Sequence, residues 1–241
     1  MNPFAGTHFA KLVLHRSGGW SGIAYMCWSS APLSILDRCK DQFLSLAEMR
    51  LVNDLRFDRR RRSFLLGRYC AKESLGALLC RRDFASIDVV PGVFTQPVVL
   101  NSGPRASVSI SHTDHRAAAL AFDSTHPMGL DIEHVDGDKT GAIEAQLTAS
   151  EKMIADSLSQ DRIETRFVLW AMKEALAKVL LTGLMTPLSI YELATMAFDH
   201  HVWRATFRNF AQYQAVALLV HRHVVAVALP RKTDIKIAML R

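Results

Sequence analysis

The chain has 241 residues, 49% of them hydrophobic, which suits one large domain or two small ones with a real core. It has no run of about 18 apolar residues and no uninterrupted apolar leader, so neither a membrane span nor a signal peptide is expected, and a cytoplasmic location is. Net charge is +6, but residues 1–120 hold 16 Lys/Arg against 9 Asp/Glu while residues 121–241 hold 13 against 14. A basic half suits a phosphate-bearing or acidic partner. Cys27, Cys39, Cys70 and Cys80 lack zinc-ligand spacing and read as reduced thiols.

In chain order, residues 44–80 read as helical, with a sustained pattern from Arg62 to about Leu79. Residues 85–122 read as strands and turns, punctuated by Pro91-Gly92 and Gln96-Pro97. "SVSIS" and "AAALAF" flank "HTDHR" as a hairpin would. A polar linker, "DSTHP" (123–127), marks the junction between an N-terminal subdomain, 1–125, and a C-terminal one, 126–241. The second half opens on a strand, "GLDIE" (129–133). Helices follow around 140–158 and 161–182, then strands in 196–207 and 213–230. "SHTDHRAAALAF" and "LVHRHVVAVALP" resemble one another, which suggests an internal duplication.

Two stretches carry chemistry. In a strand, Asp131 and Glu133 point to one face. Two carboxylates that close repel, and either a divalent cation or solvation at a sheet edge must relieve them. In "RFVLWAMKEALAKVL" (166–180), Leu169, Met172, Leu176 and Val179 form a core stripe. Trp170, Glu174 and Lys178 recur at i, i+4, i+8 on the opposite face, with Lys173 beside them. A Glu-to-Lys pair of this spacing is common on solvated helices. The large aromatic argues instead for a face that looks into a cleft.

"GLDIE" followed by "WAMKEALAK" resembles the G-(I/V/L)-D-(I/V)-E … W-x-x-K-E-(S/A)-x-x-K pair of the 4′-phosphopantetheinyl transferase superfamily. "RSFLLGRYCAKESLGALL", "VSISHTDHRAAALAF" and "LTASEKMI" fit its larger, surfactin-synthetase-activating type. The resemblance implies an α/β (α+β) fold of two similar subdomains related by a pseudo-two-fold axis, with the active site at their interface. It implies transfer of the phosphopantetheine arm of coenzyme A to a serine of an apo acyl or peptidyl carrier protein, releasing adenosine 3′,5′-bisphosphate. Asp131, Glu133 and Glu151 would hold Mg²⁺, with Mn²⁺ as the alternative. Glu174 would be the general base, and Lys178, helped by Lys173, would hold phosphate charge. Arg62, Gln96, Pro97, Ser111, His112 and Lys178 would bind coenzyme A. The departure is "FTQP" (94–97), where relatives place G-K-P or G-x-P. The partners expected are coenzyme A and an acidic carrier protein, with no nucleic acid and no membrane, for a monomer.

Two other classes compete. A metal-dependent phosphodiesterase or nuclease would want its lysine in a short D…E-x-K strand motif, yet here the lysines lie about forty residues downstream. A non-catalytic nucleic-acid-binding protein would use the basic half, but aromatic content is only 8% and no RNP-like or Cys/His pattern occurs.

Overall fold

The computed structural model describes Phe4 and residues 6–103, 105–158 and 162–240, the side chains of Arg162 and Leu184 excepted. The chain begins with β1 (His8–Arg16), β2 (Ser21–Ser29), α1 (Leu33–Cys39), α2 (Leu46–Asn53) and α3 (Asp58–Leu79). Then come β3 (Asp88–Pro91), β4 (Pro97–Leu100), β5 (Ala106–His112) and β6 (Ala117–Asp123). The rest comprises β7 (Gly129–His134), α4 (Thr140–Glu144), α5 (Ala149–Leu158), α6 (Arg162–Val179), β8 (Leu193–Asp199), β9 (Val202–Phe207), β10 (Tyr213–Val220), β11 (His223–Pro230) and β12 (Thr233–Leu240). No helix among the described residues is long and apolar enough to cross a membrane.

The fold is mixed α/β and divides into two compact units, residues 1–126 with 233–241, and residues 127–232. The first has an antiparallel sheet in the order β12-β1-β2-β6-β5, covered by α3. Alternation builds β1, with Ala10, Leu12 and Leu14 buried in turn. β6 is buried through six residues, as a strand enclosed on both faces must be. Its alanines 117, 119 and 121 let Leu66, Tyr69 and Cys70 of α3 settle close.

The second unit has an antiparallel sheet in the order β7-β11-β10-β9-β8, covered by α6. Phe167, Leu169, Met172 and Leu176 pack there with Val224, Ala226 and Ala228 of β11. The wiring repeats. In each unit a strand, β2 or β7, leads through helices to a hairpin, β5–β6 or β10–β11. The hairpin's second strand pairs back onto the first strand, and the long helix covers the set.

The structure departs from expectation in three places. Residues 233–240, assigned above to the C-terminal subdomain, pair with β1 in the first unit, with Ile235 opposite Leu14. Local alternation identifies a strand but not its partner. The helix over 44–80 is two helices, because Ser45 and Glu48 form a capping box that starts α2, and Asn53 and Asp54 end it. The helix over 140–158 is likewise split at Leu147–Thr148, where α5 begins with its own cap. The expected start of the next helix at 161 lies outside the described residues, and α6 ends at Val179.

Candidate active site

β7 begins where it must touch α6. A Cβ added at Gly129 would lie 2.1 Å from the Ala175 carbonyl oxygen and 2.9 Å from Val179, so only a hydrogen fits. Gly129→Ala is expected to push β7 off α6 and lower the melting temperature, since overpacking costs about 1–3 kcal/mol. An unchanged thermal unfolding curve would show this contact to be looser than the geometry says.

The strand's polar face meets α6 at two points. Lys178 Nζ donates to Asp131 Oδ1 at 2.7 Å and to the Leu130 carbonyl at 3.0 Å. Two turns earlier on α6, Trp170 Nε1 donates to Glu133 Oε1 at 3.1 Å. Glu174 lies between these residues on the helix. Asp131 is only 3% exposed. Burial, then the charge of Asp131, raises Glu174 from 4.5 to about 7, against the pull of Lys178. Burial, then Asp131, raises Glu133 to about 7; Glu174 adds to the rise, while Trp170 and Lys178 oppose it. Asp131, Glu133 and Glu174 therefore form one electrostatic cluster with Lys178 as counter-charge.

The resemblance implies Glu151 as a third cation ligand and Lys173 as a helper of Lys178. The structure instead pairs the two with each other, at 2.8 Å and with both side chains fully enclosed. Glu151 Oε2 also accepts from Thr148 N, and Oε1 from Leu193 N. The acid that stands with Asp131 and Glu133 is Glu174. The signal for this was its place between Trp170 and Lys178 on the i, i+4, i+8 stripe. Among the described residues no three His, Cys, Asp or Glu side chains already stand in metal-ligating geometry. The acids of the cluster offer only carboxylate oxygens, the donor type that a hard cation takes, and burial and neighbouring charge raise Glu133 and Glu174.

In the first unit, Arg62 of α3 donates to the Asp114 and His115 carbonyls, at 3.4 and 3.3 Å. That turn follows buried Ser111 and exposed His112 at the end of β5. Arg59 pairs with Asp114 at 2.5 Å and stays 86% exposed. Arg61 grips Asp37 through Nε and Nη2 and holds that carboxyl below its usual range. The "FTQP" loop closes on itself. Gln96 Oε1 accepts from Phe94 N, and the Gln96 side chain fills the space over Gly92. Thr95 has φ +64°, a left-handed conformation that glycine adopts without strain. Pro97 opens β4.

The model of the 4′-phosphopantetheinyl transferase superfamily matches residues 127–228. A holo-[acyl-carrier-protein] synthase from Staphylococcus saprophyticus is 34% identical over 82 residues, spanning 32% of this chain and 71% of that protein. The chain belongs to the 4′-phosphopantetheinyl transferase superfamily. Among solved structures, a holo-(acyl-carrier-protein) synthase from Bacillus anthracis in complex with CoA (3′,5′-ADP) is 18% identical, with a TM-score of 0.34. It covers 48% of this chain and 96% of its own. The holo-[acyl-carrier-protein] synthase of Thermotoga maritima is 22% identical, with a TM-score of 0.33, covering 47% and 68%. Within this phosphopantetheinyl transferase, the matched segment holds Asp131, Glu133, Glu151, Lys173, Glu174 and Lys178. Arg62, Gln96, Pro97, Ser111 and His112 lie outside it.

Proposed function

We propose that this transferase moves the 4′-phosphopantetheine arm of coenzyme A to a serine of an apo acyl or peptidyl carrier protein. The serine oxygen bonds to the phosphorus that bears the pantetheine, the pyrophosphate P–O bond breaks, and adenosine 3′,5′-bisphosphate leaves. The observation that carries the reading is the cluster of Asp131, Glu133 and Glu174 with Lys178. Glu174, at about 7 in the metal-free protein, suits proton transfer near neutral pH and takes the serine proton. Lys178, already among the acids, compensates phosphate charge as it builds. Asp131 and Glu133, the two acids of β7, would hold Mg²⁺ or Mn²⁺, which leaves Glu174 to act as the base. When bound, the cation supplies positive charge to the leaving phosphate.

The larger, surfactin-synthetase-activating type is supported by the repeated wiring of the two units, and by the fact that about a third of this chain accounts for most of the staphylococcal relative. Arg62, Ser111 and His112 serve the coenzyme A phosphates. Gln96, whose Oε1 accepts from Phe94 N, and Pro97 serve the adenosine side of coenzyme A. Exposed Arg59 and Arg60 steer an acidic carrier domain.

Incubation with Mg²⁺, coenzyme A and an apo carrier protein, read by mass, tests the function. The carrier should gain one phosphopantetheine, and no gain across several carriers would overturn the reading. Arg62→Ala should weaken coenzyme A more than dephospho-coenzyme A, by the ~1.5–3 kcal/mol of a charge-assisted contact. Equal losses in titrations of the two ligands would move Arg62 from the 3′-phosphate to its turn-bracing contacts alone.

A further inference from the structure

Two stretches of the first unit recur in the second. "LSLAEMR" (44–50) matches "LTASEKM" (147–153), and "YCAKESLGALL" (69–79) matches "WAMKEALAKVL" (170–180). The kept residues do the same thing in both places. Ser45 and Glu48 cap α2, and Glu48 is fully enclosed with Lys72 of α3 at 2.6 Å. Lys72 also donates to the Phe84 and Ile87 carbonyls. Thr148 and Glu151 cap α5 in the same manner, and Glu151 is fully enclosed with Lys173 of α6. Lys173 also donates to the Gln146 carbonyl.

The lost residues are the two strand acids and the lysine that meets them. β2 sets Cys27 and Ser29 opposite Ala119 and Ala117 of β6, where β7 sets Asp131 and Glu133 opposite Ala226 and Val224 of β11. In the matched helices Ala77 replaces Lys178 and Tyr69 replaces Trp170, while Glu73 keeps the place of Glu174. The first unit is thus an internal control. It keeps the enclosed Glu–Lys pair without the strand acids and the last lysine, so the pair belongs to the framework.

We propose that Glu151 and Lys173 are positioning residues for the transfer reaction. Their enclosed pair fixes α6 so that Glu174 and Lys178 meet the acids of β7, and neither residue touches substrate or cation. The pair ties α6 at once to the start of α5, to the start of β8 and to the Gln146 carbonyl. Any slide or rotation of α6 would leave two enclosed charges without their partners, which is far costlier than losing a surface pair. Glu174 is the next residue along, so it inherits that fixed setting. The inference rests on the function proposed above.

The test compares Lys173→Met, Glu151→Gln, the double variant and Lys72→Met in thermal unfolding and in transfer assays well below the melting temperature. Lys173→Met should melt lower, and its kcat per folded molecule should fall about 10- to 100-fold, as small misplacements of reacting groups do. Adding Glu151→Gln should restore most of the stability, the kcat and the midpoint of Mg²⁺ dependence. Lys72→Met should melt lower with kcat kept. If Lys173→Met does not fold, Glu151→Gln alone carries the comparison, since its amide oxygen still serves the Leu193 N–H. Unchanged kcat in the folded single variants would reduce the pair to a stability element. A Mg²⁺ midpoint still shifted more than tenfold in the double variant would make Glu151 a ligand. A KM for coenzyme A still raised there would make Lys173 a substrate contact. If the unmodified enzyme transfers nothing, the proposed function fails. The pair is then judged by stabilisation on adding Mg²⁺, which Lys173→Met should lose and the double variant regain; stabilisation kept in Lys173→Met would overturn it.

Discussion

Transfer to an apo carrier protein is expected to fall to background in Asp131→Ala while the fold survives. The substitution removes the proposed cation ligand and, in the same stroke, the acceptor that holds Lys178 at 2.7 Å. The pH dependence of stability supplies an independent check. In the metal-free protein Glu133 and Glu174 are raised from 4.5 to about 7, so the folded state binds more protons than the unfolded one between those values. Their contribution to stability is therefore complete below about pH 4.5 and is lost as pH rises through 7. After burial, the charge of Asp131 is the largest cause of both shifts. Asp131→Ala should flatten that decline. At pH 7, relief of repulsion and loss of the Lys178 contact oppose each other, so the slope changes more than the melting temperature. Near-normal transfer in Mg²⁺, or an unaltered slope in metal-free melts across pH 4.5 to 7, would refute the cluster.

Glu174→Gln probes the proton transfer itself. The change keeps the side chain's shape and removes the base, and the rate should fall by ~10²–10⁴ with coenzyme A binding nearly unchanged. A carboxylate that mainly aligned the cation would behave differently: Mg²⁺ affinity would drop, and excess Mg²⁺ would recover part of the rate. A mere surface partner of Lys178 would cost under ~1 kcal/mol of stability and leave transfer intact. Transfer measured across a Mg²⁺ titration separates the three cases, and an undiminished rate at ordinary Mg²⁺ would remove the catalytic role from the Trp170–Lys178 face.

Short-range geometry is what the sequence makes legible. Asp131 and Glu133 share a face because strands alternate, and Trp170, Glu174 and Lys178 share one because helices repeat near four residues. The structure brings both faces together. Glu151 shows the limit of short-range patterns, because what the structure gives it lies partly far along the chain. Its Thr-x-x-Glu setting is a capping box, and its ion-pair partner, Lys173, lies 22 residues on in another helix. No local rule names such a partner. The same holds for Thr95, whose left-handed backbone is imposed by its loop against its own preference.

The last strand has a consequence for how the protein is made. β12 completes the first unit's sheet by covering the outer edge of β1, yet residues 127–232, a whole second unit, come between β6 and it in the chain. On the ribosome the N-terminal sheet therefore waits. The second unit can close its own sheet from contiguous sequence first, while β1 presents an open row of backbone groups until residues 233–240 emerge. Pairing over so long a separation is slow, and an open edge of that kind recruits neighbouring chains. Removing residues 233–241 would make that transient edge permanent, with aggregation of the truncated chain as the result.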